Sequence, residues 1–212
     1  MTDELQNRFI HDVRDHELTI KLDQDLYRHL RLSRPGSSAY HYNLVTWPGY
    51  LSITGDMGSY TFDRVADMFK FFRDGEMTNR INPQYWHEKA VAVDKGQGPK
   101  VFSQDRYKNA IQSDTNEWET TLGSEETLKA DIEAQLHGWN SPTNTHEAYQ
   151  LIHEFESTDG HTFVDFEYDL TDWSFHYMWA LKAIVWGIKQ YDLEKQERTQ
   201  RHHDARVLAG EI

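Results

Sequence analysis

Cysteine is absent from the 212 residues, which removes disulfides, thiolate metal sites and a cysteine nucleophile at once. The absence fits a reducing compartment. No signal peptide is expected at MTDELQNRF, which has neither a basic n-region nor an apolar h-region. The longest apolar zone, 173–188, is broken by His176 and Lys182 and is too polar to span a bilayer. A soluble, cytoplasmic protein with no membrane partner is expected. There is no G-x-S-x-G, no P-loop and no paired C-x-x-C, so no catalytic residue is nominated and no cofactor is expected.

The most informative shortage is of positive charge. Between Lys108 and Lys182 the only basic side chain is Lys129, while 15 Asp and Glu fall in positions 109–181. That acidic sub-region sums to −14 and the other 139 residues to +1, so the net charge of −13 lies in one third of the molecule. Ordinary solvated surfaces mix the two signs. A one-sign region points to an electrostatic device, a metal site or a partner of opposite charge. It argues against direct contact with nucleic acid phosphates over most of the surface.

What is present is an aromatic-rich set of periodic segments, 13% aromatic with seven Trp, enough for a core without staples. Leu18, Ile20 and Leu22 alternate with polar residues, as do 27–32, 40–47, 50–54 and 59–62, with turns at Asp23–Asp25, Arg34–Ser37, Pro48-Gly49 and Gly55–Gly58. These predict an antiparallel meander of four or five strands. Helices are predicted over 3–15, over 64–73 capped by Asp63, from Asn82-Pro83 through Val93, near 104–112 after Ser103, and near 125–137 after Ser124. Residues 145–156 carry helical spacing, with a strand turning back through Asp159-Gly160 as the alternative. Val164, Phe166, Tyr168 and Leu170 alternate with Asp165, Glu167 and Asp169, predicting a strand. From Asp172 a long helix begins that is apolar nearly all round and therefore central. The fold class is α+β: an N-terminal antiparallel sheet packed on helices, residues 1–192 in one domain with 172–192 as hydrophobic spine, and 193–212 a polar tail of frayed helix.

Several constellations could carry chemistry. On a strand, Asp165, Glu167 and Asp169 would point the same way, about 6.7 Å apart, and could meet Lys or Arg of a partner. They could equally be the solvent face of a half-buried strand. The other acids of the candidate partner-binding face are Glu125, Glu126, Asp131, Glu154 and Glu156. Asp172 and His176 at i, i+4 could act as orienter and base or, with His161, as weak metal-ligand candidates; His176 also reads as a core histidine. No H-x-x-x-H, H-E-x-x-H or facial-triad spacing supports a metal. Trp47, Tyr50, Tyr60, Trp86 and Trp118 could stack bases, but residues 1–108 balance 15 acids with 15 bases and offer no basic groove.

The runs NLVTWPGYLSITGDMGSYTF, DRVADMFKFFR, INPQYWHEK and YMWALKAIVWGI resemble a group of uncharacterised proteins of bacteriophages, prophages and plasmids, over roughly 15–110 and 165–190. No activity is established for that group, so no residue role is carried over. The resemblance implies a small accessory protein of a mobile element, a setting in which inhibitors of host defence, including anti-CRISPR and anti-restriction proteins, are frequent and often acidic. The resulting expectation is a binder that engages a basic host protein through an ordered acidic face, as a nucleic-acid mimic if the acids of 114–133 and 147–159 share a side. The alternatives are a metal-dependent hydrolase or nuclease using the same Asp, Glu and His, and a virion or replication accessory in which the acidity only aids solubility.

Overall fold

In the computed structural model, which describes residues 2–77, 81–116, 118, 124–197 and 199–209, the alternation of apolar residues is realised as a sheet. The elements run α1 (Thr2–Val13), β1 (Glu17–Gln24), β2 (Tyr27–Ser33), β3 (Tyr42–Trp47), β4 (Tyr50–Gly55), β5 (Gly58–Asp63), α2 (Met68–Met77), α3 (Pro83–His87), β6 (Ala90–Ala92), β7 (Lys100–Phe102), α4 (Gln104–Thr115), α5 (Ser124–Leu136), a 3-10 turn (Gly138–Asn140), α6 (Thr145–Glu154), β8 (Thr171–Trp173), α7 (Phe175–Lys195) and α8 (Gln200–Leu208). Two compact units emerge: residues 1–99 with 173–212, and residues 100–172.

The first unit is α+β. Six strands lie in sequence order β1 to β6, every neighbour antiparallel. The registers place Leu30 opposite Leu44, Leu44 opposite Ile53 and Ile53 opposite Tyr60, so one buried row crosses four strands. Helix α7 packs on this row, burying Trp179, Ala180, Leu181, Ala183, Ile184, Gly187 and Ile188. The helix comes close to the sheet at Gly187. A Cβ there would sit 2.8 Å from Leu44 Cδ1 and 3.4 Å from Leu32 Cδ1, so only a residue without one lets the helix backbone settle on the sheet.

Two further helices hang on α7. The buried Trp179 Nε1 donates to Asp12 of α1 at 3.1 Å, and its ring meets Phe9 edge-on at 5.3 Å. Asp192 accepts both Nε and a terminal nitrogen of Arg73 from α2, at 2.7 and 2.6 Å. Phe69 lies beneath the Arg28 guanidinium, which itself bonds Asp67 at 2.8 Å. The second unit has its own core of Tyr107, Ile111, Leu128, Leu136, Ala148, Ile152, Phe155, Phe166 and Leu170. Among the described residues no helix is long and apolar enough to cross a membrane.

Several boundaries differ from the sequence expectation. Asp63 does not cap a helix; it ends β5, its N–H donating to Lys89 O at 2.9 Å. Asp67 takes the capping role, accepting from Phe69 N at 3.1 Å. The helix expected through Val93 stops at His87, because Ala90 and Ala92 pair with β5 and extend the sheet. The long helix starts after Ser174, whose hydroxyl accepts from Tyr177 N at 3.1 Å, and not at Asp172, which lies in β8. Residues 145–154 are helix, capped by Asn144. The strand expected at 164–170 is not formed. Phe166 and Leu170 do point inward, but no ladder pairs the segment. Period-2 patterning orients an extended chain; a strand also needs an edge to bond to.

Replacing Gly187 with Ala is expected to destabilise the protein by about 1–3 kcal/mol, the usual cost of overpacking. By contrast, Tyr42→Phe removes a buried hydroxyl that has no hydrogen-bond partner among the described residues, and should be neutral or stabilising. Urea-unfolding midpoints of the two variants measure both effects.

Candidate functional site

The charge asymmetry coincides with a structural boundary. Residues 100–172 hold sixteen Asp and Glu against four Lys and Arg, while the rest of the chain holds nineteen against eighteen. The acidic third is therefore a folded unit, not a tail. Its carboxylates sit on or beside capped helices. Ser103 caps α4, accepting from Arg106 N at 3.3 Å, and Asn144 caps α6, accepting from Glu147 N at 3.0 Å. Glu125 and Glu126 occupy the exposed first turn of α5, where the helix dipole favours negative charge.

With so few cations available, most engaged carboxylates bond neutral donors. Asp131 accepts from Thr158 N at 2.7 Å and Thr158 Oγ1 at 3.1 Å. Glu147 accepts from Thr143 N at 2.8 Å and from its hydroxyl at 2.7 Å, bonds that hold its carboxyl below the ordinary range. Asp114 accepts from Tyr168 OH at 2.6 Å, and Glu154 from Gln150 Nε2 at 3.0 Å. Such bonds fix the carboxylates without cancelling their charge.

Two of these links bring distant acids together. The Asp131–Thr158 bonds, with Gln135 Nε2 donating to Glu156 O at 3.0 Å, lay residues 156–158 along the second half of α5. Acids from the 125–133 and 156–159 segments thus share one region. Glu126, Glu133, Glu156, Asp159, Asp165 and Glu167 are exposed and make no ion pair among the described residues. Glu117 and Glu119 lie outside the described residues.

The expected row Asp165, Glu167, Asp169 is not a strand face. Asp165 has φ +53°, a left-handed conformation that Asp tolerates better than most residues. Asp169 is engaged internally. Lys100 Nζ lies 2.8 Å from it, and Thr171 donates through N at 3.0 Å and Oγ1 at 2.5 Å. The Lys100 ammonium and then the Thr171 hydroxyl hold the Asp169 carboxyl well below the usual range.

The weak metal candidates have separate local roles. His161 stacks on Trp118, with ring centroids 5.2 Å apart and planes 8° apart, and its backbone N–H donates to Ser157 Oγ at 2.9 Å. Asp172, in β8, faces Arg106 at 3.8 Å, so it does not form an i, i+4 helix pair with His176. His176 sits half-buried in the first turn of α7. Among the described residues no three His, Asp or Glu side chains gather as a ligand set. Of the aromatics, Tyr60 and Trp86 are core, Trp118 packs on Phe155 and His161, and Trp47 stacks on Tyr50 at 5.1 Å.

Two features of this unit escaped the sequence reading. A cleft of about 500 Å³ opens between α4 and α5 over Ile111, Leu128 and Ile132. Lys108, Lys129, Glu125 and Glu133 line it, Lys129 within 4.0 Å of Glu125 on the same helix, so its formal charges balance. The second feature is Trp139, on the 3-10 turn and fully exposed at 105%. Its signal was available: Trp139 falls outside the Leu128–Ile132–Leu136 stripe and is flanked by Gly138 and Asn140, both turn residues.

No protein-family model, curated protein or solved structure matches the chain.

The Asp169 contacts have a pH signature. A carboxyl depressed in the folded state contributes stability above its ordinary value of 3.8, and that contribution disappears as pH falls through the folded value. The stability gap between wild type and Asp169→Asn should therefore be full at neutral pH and close progressively below about pH 4. In carboxyl NMR titrations, Lys100→Met should return Asp169 towards the ordinary value; an unmoved titration would exclude Lys100 as the cause.

Proposed function

We propose that the protein is a non-enzymatic binder whose unit 100–172 docks on a basic surface of a partner protein. The observation that carries this reading is the coincidence of the charge excess with one folded unit, its carboxylates fixed by neutral donors. A disordered acidic tail would lose conformational entropy on docking; a pre-organised surface loses far less. Charge of one sign speeds encounter with an oppositely charged surface and rejects acidic competitors. A host nucleic-acid-binding protein, with its basic groove, is the partner class this favours, in keeping with the mobile-element setting the sequence resemblance implies. Mimicry of a nucleic acid is the stronger form of this reading and requires the acids of 114–133 and 147–159 to share a side. Docking by sign and position of charge does not depend on it.

The test uses exposed acids that have no ion-pair partner among the described residues, so that reversal leaves the fold intact. The triple variant Glu126→Lys, Glu156→Lys, Glu167→Lys is compared with a matched reversal at Glu4, Glu17 and Glu197. In pull-downs from the host lysate, the wild type should retain basic proteins that elute as salt rises to about 0.5 M. The triple variant should bind those proteins at least about tenfold more weakly, and the matched reversal should not. Salt-insensitive capture, or equal loss in both reversals, would overturn the reading.

A further inference from the structure

The 3-10 turn at Gly138–Asn140 presents its indole on a braced support. Asn140 Nδ2 donates to Ala134 O at 2.6 Å, Asn140 N to His137 O at 3.1 Å and Ser141 N to Gly138 O at 3.3 Å. Gly138 has φ +58°, and a Cβ there would lie 3.5 Å from Glu133 Oε1. The Glu133 carboxylate thus rests against the turn, one residue from Trp139. Neither face of the indole has a ring partner among the described residues, although Trp47, Trp118, Trp173 and Trp179 all have one.

We infer that Trp139 and Glu133 together receive a cationic side chain of the partner, arginine before lysine, and that this contact anchors the acidic surface. The inference rests on the docking reading above and names the contact that sets its register. An exposed indole is unfavourable in water, and tryptophan is the residue most enriched among interface hot spots. A purely apolar pocket could cover the ring, but it would strand the adjacent Glu133 carboxylate without a partner. A guanidinium satisfies both groups: its flat face lies on the indole while its N–H fork bonds the carboxylate. An ammonium offers only a point charge. The surroundings agree with a cation, since the nearby second half of α5 is flanked by residues 156–158, and Glu156 and Asp159 there are exposed without ion-pair partners among the described residues.

The experiment titrates the full chain at low salt with an arginine nonapeptide and a lysine nonapeptide by calorimetry, for wild type, Trp139→Ala, Trp139→Phe and Glu133→Gln. The wild type should prefer the arginine peptide. Trp139→Ala should weaken arginine binding about fivefold, within the range of cation–π contacts, and erase the preference with its salt dependence unchanged. Trp139→Phe should keep part of the preference, and Glu133→Gln should reduce it. Because Trp139 is exposed, the unfolding midpoint of its variants should match wild type. If Trp139→Ala binds both peptides as wild type does, with the salt dependence intact, the anchor is refuted and acidic docking stands. If wild type binds neither peptide, the docking reading fails and the anchor with it.

Discussion

The approach of α7 to the sheet is the constraint on which the first unit depends. Small residues at Ala180, Ala183 and Gly187 let the helix backbone come down onto Leu32, Tyr42 and Leu44. A helix held at that distance can reach in two further directions. Trp179 ties it to α1 and Asp192 ties it to α2, so both outer helices take their position from it. The helix and the strands it covers are more than a hundred residues apart in sequence, which makes this core a product of long-range contacts.

The two units handle charge in opposite ways. In the first, acids meet cations, as in Arg28–Asp67 and Arg73–Asp192, and the charges cancel where they are buried. In the second, cations are scarce, and carboxylates are positioned mainly by backbone N–H groups, hydroxyls and amides, as at Asp131, Glu147, Asp114 and Glu154. Hydrogen bonds to neutral donors lower the energy of the ionised form while leaving the field it projects. The same acids therefore serve as loop and helix caps and as sources of negative potential.

Most of the sheet was legible in the amino-acid order because period-2 alternation and turn residues act locally. Leu18–Ile20 and Leu30–Leu32 announce their strands wherever the sheet lies. Element ends were less legible, because competing partners decide them. Asp63 and Asp67 are equally good caps on paper, and the pairing of β5 with β6 chooses between them. The segment 164–170 shows the same limit from the other side: Phe166 and Leu170 do turn inward but Val164 is exposed, and whether a neighbouring edge exists is a tertiary fact. In the candidate site, membership of the acidic region was readable, and the fate of single acids was not. Asp169 and Glu167 look alike in the sequence, yet only Asp169 meets Lys100, 69 residues earlier.

The bonds around Ser174 have a wider consequence. Ser174 N donates to Pro99 O at 2.9 Å and its hydroxyl to Gly98 O at 2.8 Å, so the chain returns to the scaffold beside the point where it left. Everything between is a closed excursion. Closing a loop becomes costlier only slowly with length, by about 0.6 kcal/mol for each doubling. From the scaffold's side, the length and composition of the excursion are nearly neutral variables. A fold built this way can keep its sheet and spine unchanged while residues 100–172 drift, lengthen or are exchanged, so that change in one segment need not endanger the other.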